Sequence, residues 1–189
     1  MLINNETIIK DNDPKIREKS QPVPLPLSQE DETLLRELYQ YVENSTKPEI
    51  AEKENLRPAV GISAIQVGVP KQLTAVIVRL SGDDDEEEIV YRYMLANPKI
   101  VSSSVQKAYL ESGEGCLSVE EDHDGYVVRS ARVTVQGFDL VTGQDITIRA
   151  RGYLAIVLQH ELDHFKGILF YDHINPEDPY PEVPNSIVI

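Results

Sequence analysis

The residues of this chain whose types and spacing could do chemistry are His160-Glu161-Leu162-Asp163-His164. They lie in a proline-free run rich in leucine, isoleucine and valine, which predicts a helix. On a helix four residues advance roughly 400°, so His160 and His164 project from one face about a turn apart. Two imidazoles so placed suit one metal ion, and Glu161 beside them can move a proton to or from a water that the ion activates. A five-residue pattern also arises by chance, with histidines that are merely buried and hydrogen-bonded. Two of the chain's four histidines fall in this one, which favours the chemical reading. A tetrahedral catalytic site still needs a third protein ligand.

Cys116 is the single cysteine, set between Gly115 and Leu117 in a segment able to wrap a ligand. A lone cysteine is commonly a small buried hydrophobe. Two chemical roles compete with that: a nucleophile activated by a histidine base, or a thiolate metal ligand. The nucleophile reading leaves the second histidine and Glu161 idle. Cysteine with two histidines completes three ligands and leaves a fourth position open. Metallopeptidases of the H-E-x-x-H type instead draw a third ligand from a Glu or His downstream, and here His173 and Glu177 are the residues in reach. The chain beyond His164 is short for that purpose.

The elements that must position these groups follow from pattern. At 189 residues the length fits one domain, 1–189, with 41% hydrophobic and 26% charged residues, an ordinary globular composition. Ser28 predicts a helix N-cap, and Leu34-Leu35, Leu38 and Tyr41-Val42 predict a helix over 29–44. Ile8-Ile9 suggests a short strand, and Pro14 opens a short helix or turn. Residues 59–70 are small, glycine-bearing and apolar, a strand-to-loop crossing or a tight backbone contact. Strands are expected over 73–80 and 89–95, a turn at Asn97-Pro98, then strands over 100–109, 126–129, 132–138 and 145–151. The His160 helix should run to about 166 before Gly167. Residues 172–184 should be irregular, and Ile187-Val188-Ile189 a last strand if it finds an edge. The result is an α+β class: antiparallel β-sheets packed around a central C-terminal helix that carries His160-Glu161 and His164, plus one N-terminal helix.

Charge excludes some partners. Asp plus Glu number 32 against 18 Lys plus Arg, a net −14, and such a surface repels phosphate backbones; there is no nucleic-acid motif. The run Asp83-Asp84-Asp85-Glu86-Glu87-Glu88 is expected to be a solvated loop, and His123, flanked by acids, a surface residue. No apolar run approaches the roughly 18 residues a membrane span needs, and no secretory signal opens the chain. With one cysteine and no disulfide framework, a cytoplasmic location is expected.

Three stretches, Ala59-Val60-Gly61-Ile62-Ser63-Ala64-Ile65-Gln66, Glu114-Gly115-Cys116-Leu117-Ser118 and Gln159-His160-Glu161-Leu162-Asp163-His164, resemble the three signature motifs of peptide deformylases, in the same order. The segment after the second motif, the acidic insertion and the ending Phe170-Tyr171-Asp172-His173-Ile174 resemble the type 2 form of Gram-positive bacteria. The first motif departs from the pattern: Ala59 stands where the family has glycine, and Ser63-Ala64 where it has paired alanines. The resemblance implies removal of the formyl group from N-formylmethionyl nascent peptides, with release of formate. It implies metal ligation by Cys116, His160 and His164, acid–base work by Glu161, and oxyanion donors from the Gln66 amide and the Leu117 backbone N–H. Val60, Gly61, Gly115, Tyr126, Ile156 and Val157 match substrate-binding positions, and Glu114 and Arg129 a supporting ion pair. One divalent metal per chain is implied, Fe2+ in the cell, with Zn2+, Ni2+ or Co2+ in purified protein. The ribosome near its exit tunnel is implied as a further partner.

Overall fold

The computed structural model describes residues 3–81 and 88–189; apart from Glu88, the acidic run lies outside the described residues. Helix α1 spans Gln29–Ser45, one residue beyond expectation. Ser28 caps it as its sequence dictates: its Oγ accepts from the Asp31 N–H at 3.1 Å. Asp31 is itself buried and takes Lys71 Nζ at 2.7 Å. Burial would push the Asp31 carboxyl up, but hydrogen bonds from Lys71 and Ser28 overcome it and hold it below the usual range. On the same face, at helical spacing from Asp31, Leu35, Leu38 and Val42 are fully buried, each worth roughly 1.5–3 kcal/mol in transfer terms.

A second helix, α2, spans Pro48–Glu54, in addition to the one N-terminal helix expected. It buries no residue, so it leaves no apolar periodicity in the sequence. Its punctuation is nonetheless regular: Pro48 opens it and Asn55, at φ 56°, closes it in the left-handed region.

The strands in chain order are β1 (Gly61–Ser63), β2 (Leu73–Leu80), β3 (Ile89–Ser103), β4 (Lys107–Tyr109), β5 (Arg129–Ser130), β6 (Arg132–Asp139), β7 (Gln144–Arg151) and β8 (Ile187–Val188). Five form an antiparallel sheet in the order β1-β2-β3-β6-β7. The other three form a small sheet ordered β5-β4-β8, in which β8 runs parallel to β4. The C-terminal strand thus finds its edge within its own chain.

Helix α3 spans Gly152–His164. It is apolar nearly all round, as a buried helix must be. Strand β2 lies between the two long helices and shows why the sheet holds together. Leu73, Ala75 and Ile77 join the core with α1, whereas Val76 and Val78 join Leu154, Ala155 and Leu158 of α3. Alternation along one strand therefore serves both faces.

Five local expectations are corrected. Ile8-Ile9 is not a strand: the Ile9 N–H bonds to Gln66 O at 2.8 Å, in a turn, not to a strand neighbour. Asn97-Pro98 does not end its strand, because β3 continues through it with a register shift between Ala96 and Lys99. Asn97 takes φ 52° and its side chain pairs with both backbone groups of Val23 at 2.8 Å, while Gly137 opposite leaves room for Pro98. The expected 100–109 strand is accordingly divided between β3 and β4. Residues 126–128 lie outside β5; the Tyr126 N–H bonds instead to Pro179 O at 2.8 Å. Finally, α3 stops at His164, and 165–167 form a turn closed by Gly167 at φ 71°.

Because the Ser28 hydroxyl both caps α1 and bonds the Asp31 carboxylate, Ser28→Ala should lower stability by about 1 kcal/mol with activity retained, measured by urea unfolding.

Candidate metal centre and active site

Three separate segments bring their side chains to one place: the crossing from β1 into the 3₁₀ turn Ala64–Val67, the loop 114–118, and the last turns of α3. The ligand atoms of Cys116, His160 and His164 all lie within 4.8 Å of one another, with Cys116 Sγ 3.5 Å from His164 Nε2. A thiolate and two imidazoles at this spacing fit a divalent ion such as zinc or iron. His160 Nδ1 lies 2.8 Å from Glu114 Oε2. Burial would raise the Glu114 carboxyl, but hydrogen bonds from His160 and Arg129 hold it below its usual range. An ionised carboxylate only accepts, so Nδ1 carries the proton and Nε2 keeps its lone pair for a metal. His164 is positioned by packing instead: it is 1% exposed, and its Nδ1 has no partner among the described residues.

The cysteine is charged in this setting. Burial alone would push the Cys116 thiol up; attraction to His164 and hydrogen bonds from His160 and His164 outweigh it and bring the thiol down to about 6. Metal ligation requires the thiolate form.

Behind the ligands, Arg129 grips Glu114 through two bonds, Nε to Oε1 at 2.6 Å and Nη2 to Oε2 at 3.0 Å. Its Nη1 reaches Asp163 Oδ2 at 2.9 Å, and His173 Nε2 closes the chain on the same oxygen at 2.7 Å. His173 therefore supports the network from outside and is no metal ligand here, and Glu177 is exposed on the surface. Asp163 was missed from sequence although it sits inside the pentapeptide; nothing in a single sequence reveals its partner 34 residues away.

Gln66 is fully buried, and the Ser63 N–H fixes its Oε1 at 2.9 Å. Its Nε2 is thereby turned to Cys116 Sγ at 3.6 Å and Ser118 Oγ at 3.2 Å. The N-terminal segment ties both donor-bearing stretches down. Besides Ile9 on Gln66 O, the Asp11 N–H bonds Ser118 O at 2.8 Å and Lys10 Nζ bonds Leu117 O at 3.0 Å.

These groups open onto a cleft of about 350 Å³. Val60, Gly61, Gly115, Leu117, Ile156 and Val157 line it, as do Gln66 and Glu161. Gly61 has no alternative there: a Cβ on it would stand 2.6 Å from Glu161 Oε1. Arg57, Leu110 and Tyr153 also line the cleft and were not expected. Tyr126 does not line it. Its ring stacks on Tyr109 at 4.2 Å and meets Tyr180 edge-on at 5.1 Å. His123 is half-buried, stacked on Tyr171 at 4.1 Å, and so is not a free surface residue.

A two-histidine helix face, an adjacent glutamate and a cysteine from a loop define a metal-dependent hydrolase. The family model for polypeptide deformylases matches residues 5–180. Peptide deformylase 2 of Geobacillus stearothermophilus is 49% identical over 99% of this chain and 98% of that protein. Peptide deformylase 2 of Bacillus subtilis is 47% identical over 100% and 99%. Among solved structures, the peptide deformylase of Ehrlichia chaffeensis superposes with a TM-score of 0.72 at 30% identity, covering 95% of this chain and 91% of that one. The chain belongs to the peptide deformylase family and is an enzyme of that family. Two other readings of the same motifs, a metallopeptidase of the H-E-x-x-H type and a catalytically idle peptide-binding paralogue, find no support in these likenesses.

Arg129 neutralises two carboxylates in a buried setting. Arg129→Met should leave them uncompensated, destabilise the fold by about 3–5 kcal/mol and lower metal stoichiometry, read by thermal unfolding and metal analysis.

Proposed function

We propose that the chain acts as one domain that hydrolyses the formyl group from N-formylmethionyl nascent peptides, releasing formate. The observation that carries this is the cysteine ligand beside the H-E-x-x-H helix with the Gln66 amide 3.6 Å from its sulfur, in a chain of this family. Cys116, His160 and His164 hold the metal, Fe2+ in the cell and Zn2+, Ni2+ or Co2+ where purification replaces it. When bound, such an ion supplies Lewis acidity and acidifies a coordinated water.

The remaining work falls to the chain's own groups. Glu161 accepts a proton as the water oxygen attacks the formyl carbon. The Gln66 Nε2–H and the Leu117 backbone N–H receive the charge that develops on the formyl oxygen, and loss of such a donor typically costs on the order of 10²–10³ in turnover. Glu161 then returns the proton to the amine nitrogen as the C–N bond breaks, leaving formate and a free N-terminus. Val60, Gly61, Gly115, Ile156 and Val157 form the apolar walls against which the methionine side chain and its neighbours rest. Glu114 and Arg129 orient His160. A reducing cytoplasm, close to ribosomes that emit the substrate, suits a ligand thiolate and a ferrous ion. No helix among the described residues is long and apolar enough to cross a membrane.

The purified enzyme should release formate from formyl-Met-Ala-Ser and leave casein intact; amines without formate would sink the assignment. Stripping the metal with a chelator should abolish the activity and readdition of Fe2+ or Ni2+ under anaerobic conditions restore it. Glu161→Ala should bind metal normally while turnover falls by roughly 10²–10⁴, and retained turnover would refute its acid–base role.

A further inference from the structure

The first signature stretch departs from the family pattern at Ser63, where alanine is the rule, and the structure gives that departure an address. Ser63 is fully buried at the end of β1, opposite Thr74 of β2. Its Oγ lies 2.7 Å from Glu161 Oε2, 3.1 Å from Thr74 Oγ1 and 3.2 Å from the Glu161 carbonyl oxygen. A serine hydroxyl has one proton to give. The shortest contact, to a carboxylate oxygen, is where that proton belongs, since hydrogen bonds to charged acceptors are both shorter and stronger. Thr74 offers a weaker second contact: its Oγ1 is 3.3 Å from the same carboxylate oxygen but only 3.0 Å from Ile62 O.

The two oxygens of Glu161 are thereby made unequal. Oε2 is anchored by hydroxyls from the sheet. Oε1 has no hydrogen-bond partner among the described residues and lies over Gly61, where even a methyl group would collide with it. Glu161 is 4% exposed and borders the cleft, so its side chain has little other freedom. The same Ser63, through its backbone N–H, turns the Gln66 amide toward Cys116. That second contact is available to any residue with a backbone N–H; the first needs a side-chain donor.

We propose that Ser63 is a positioning residue for Glu161, its hydroxyl holding one carboxylate oxygen so that the other is presented to the reacting water. The inference rests on Glu161 acting as the acid–base group of the proposed deformylation.

The test compares wild type, Ser63→Ala, Glu161→Asp and the double variant in formate release from formyl-Met-Ala-Ser, with kcat, KM and metal content measured for each. Removing one buried oxygen should leave folding and metal stoichiometry unchanged. Ser63→Ala should lower kcat on the order of tenfold while KM stays within about twofold, as expected for a group felt mainly in the transition state. In Glu161→Asp the shortened carboxylate is drawn away from the hydroxyl, so adding Ser63→Ala should change kcat no further. An unchanged kcat in Ser63→Ala, or a loss that recurs in full on the Glu161→Asp background, overturns the proposal. Failure of the wild type to release formate overturns the function on which it rests, and the proposal with it.

Discussion

The structure depends on a guanidinium buried between two carboxylates. Arg129 and Glu114 have side chains only 4% and 3% exposed, and isolated charges at such depth would cost several kcal/mol each. What makes the pair tolerable is saturation: Arg129 spends its donors on Glu114 and Asp163, and Glu114 spends its remaining capacity on His160. Each partner comes from a different part of the chain, Glu114 from the loop, Arg129 from β5, and Asp163 and His160 from α3. The network is therefore less a source of net stability than a device that permits one relative placement of loop and helix. That placement is what brings Cys116 to the two histidines.

The chemistry-bearing residues were far more legible in the sequence than the joints that hold them. Spacing alone puts His160 and His164 on one face, because helical geometry is local. Cys116 could be attached by counting ligands, because it completes a set of three with the two histidines, whereas Glu114 and Gln66 had to be attached through the family's motif order, since their approach to α3 is a matter of topology. Helix α1 was legible because its apolar stripe has the helical period, whereas α2 buries nothing and so left no stripe. Asn97-Pro98 misled for a physical reason: the residues that make a turn also make a bulge, and only Val23 and Gly137 across the sheet decide between them. Tyr126 was assigned to the cleft by position in a motif, yet its ring found better partners in Tyr109 and Tyr180.

The division of labour among elements also explains the tolerance of the first signature stretch. Ala59 lines the outer cleft and is only half-buried, so a small side chain for a glycine changes a wall. Gly61 admits no such change, because the Glu161 carboxylate occupies the space a side chain would take. Ser63, two residues along on the same strand face, meets the other oxygen of that carboxylate, and an oxygen in place of a hydrogen can be accommodated there because Thr74 and Glu161 offer it partners. A buried hydroxyl without them would be a cost of roughly 1–3 kcal/mol.

The charge balance of the site ties these strands together. Glu114, Glu161 and Cys116 border one cleft, with Arg129 behind them shared between Glu114 and Asp163, so acidic groups outnumber basic ones around the two histidines. The His160 ring registers that shortage: burial would lower its proton affinity, yet contacts with Cys116 and Glu114 and the pull of Glu161 raise it well above the ordinary value. A proton on His160 and a divalent cation among Cys116, His160 and His164 are two ways to meet the same deficit, and they exclude each other because both need the imidazole lone pair. The anionic surroundings thus do more than orient ligands. They make the pocket one suited to a doubly charged ion, which would compensate buried charge that a single proton leaves partly unbalanced.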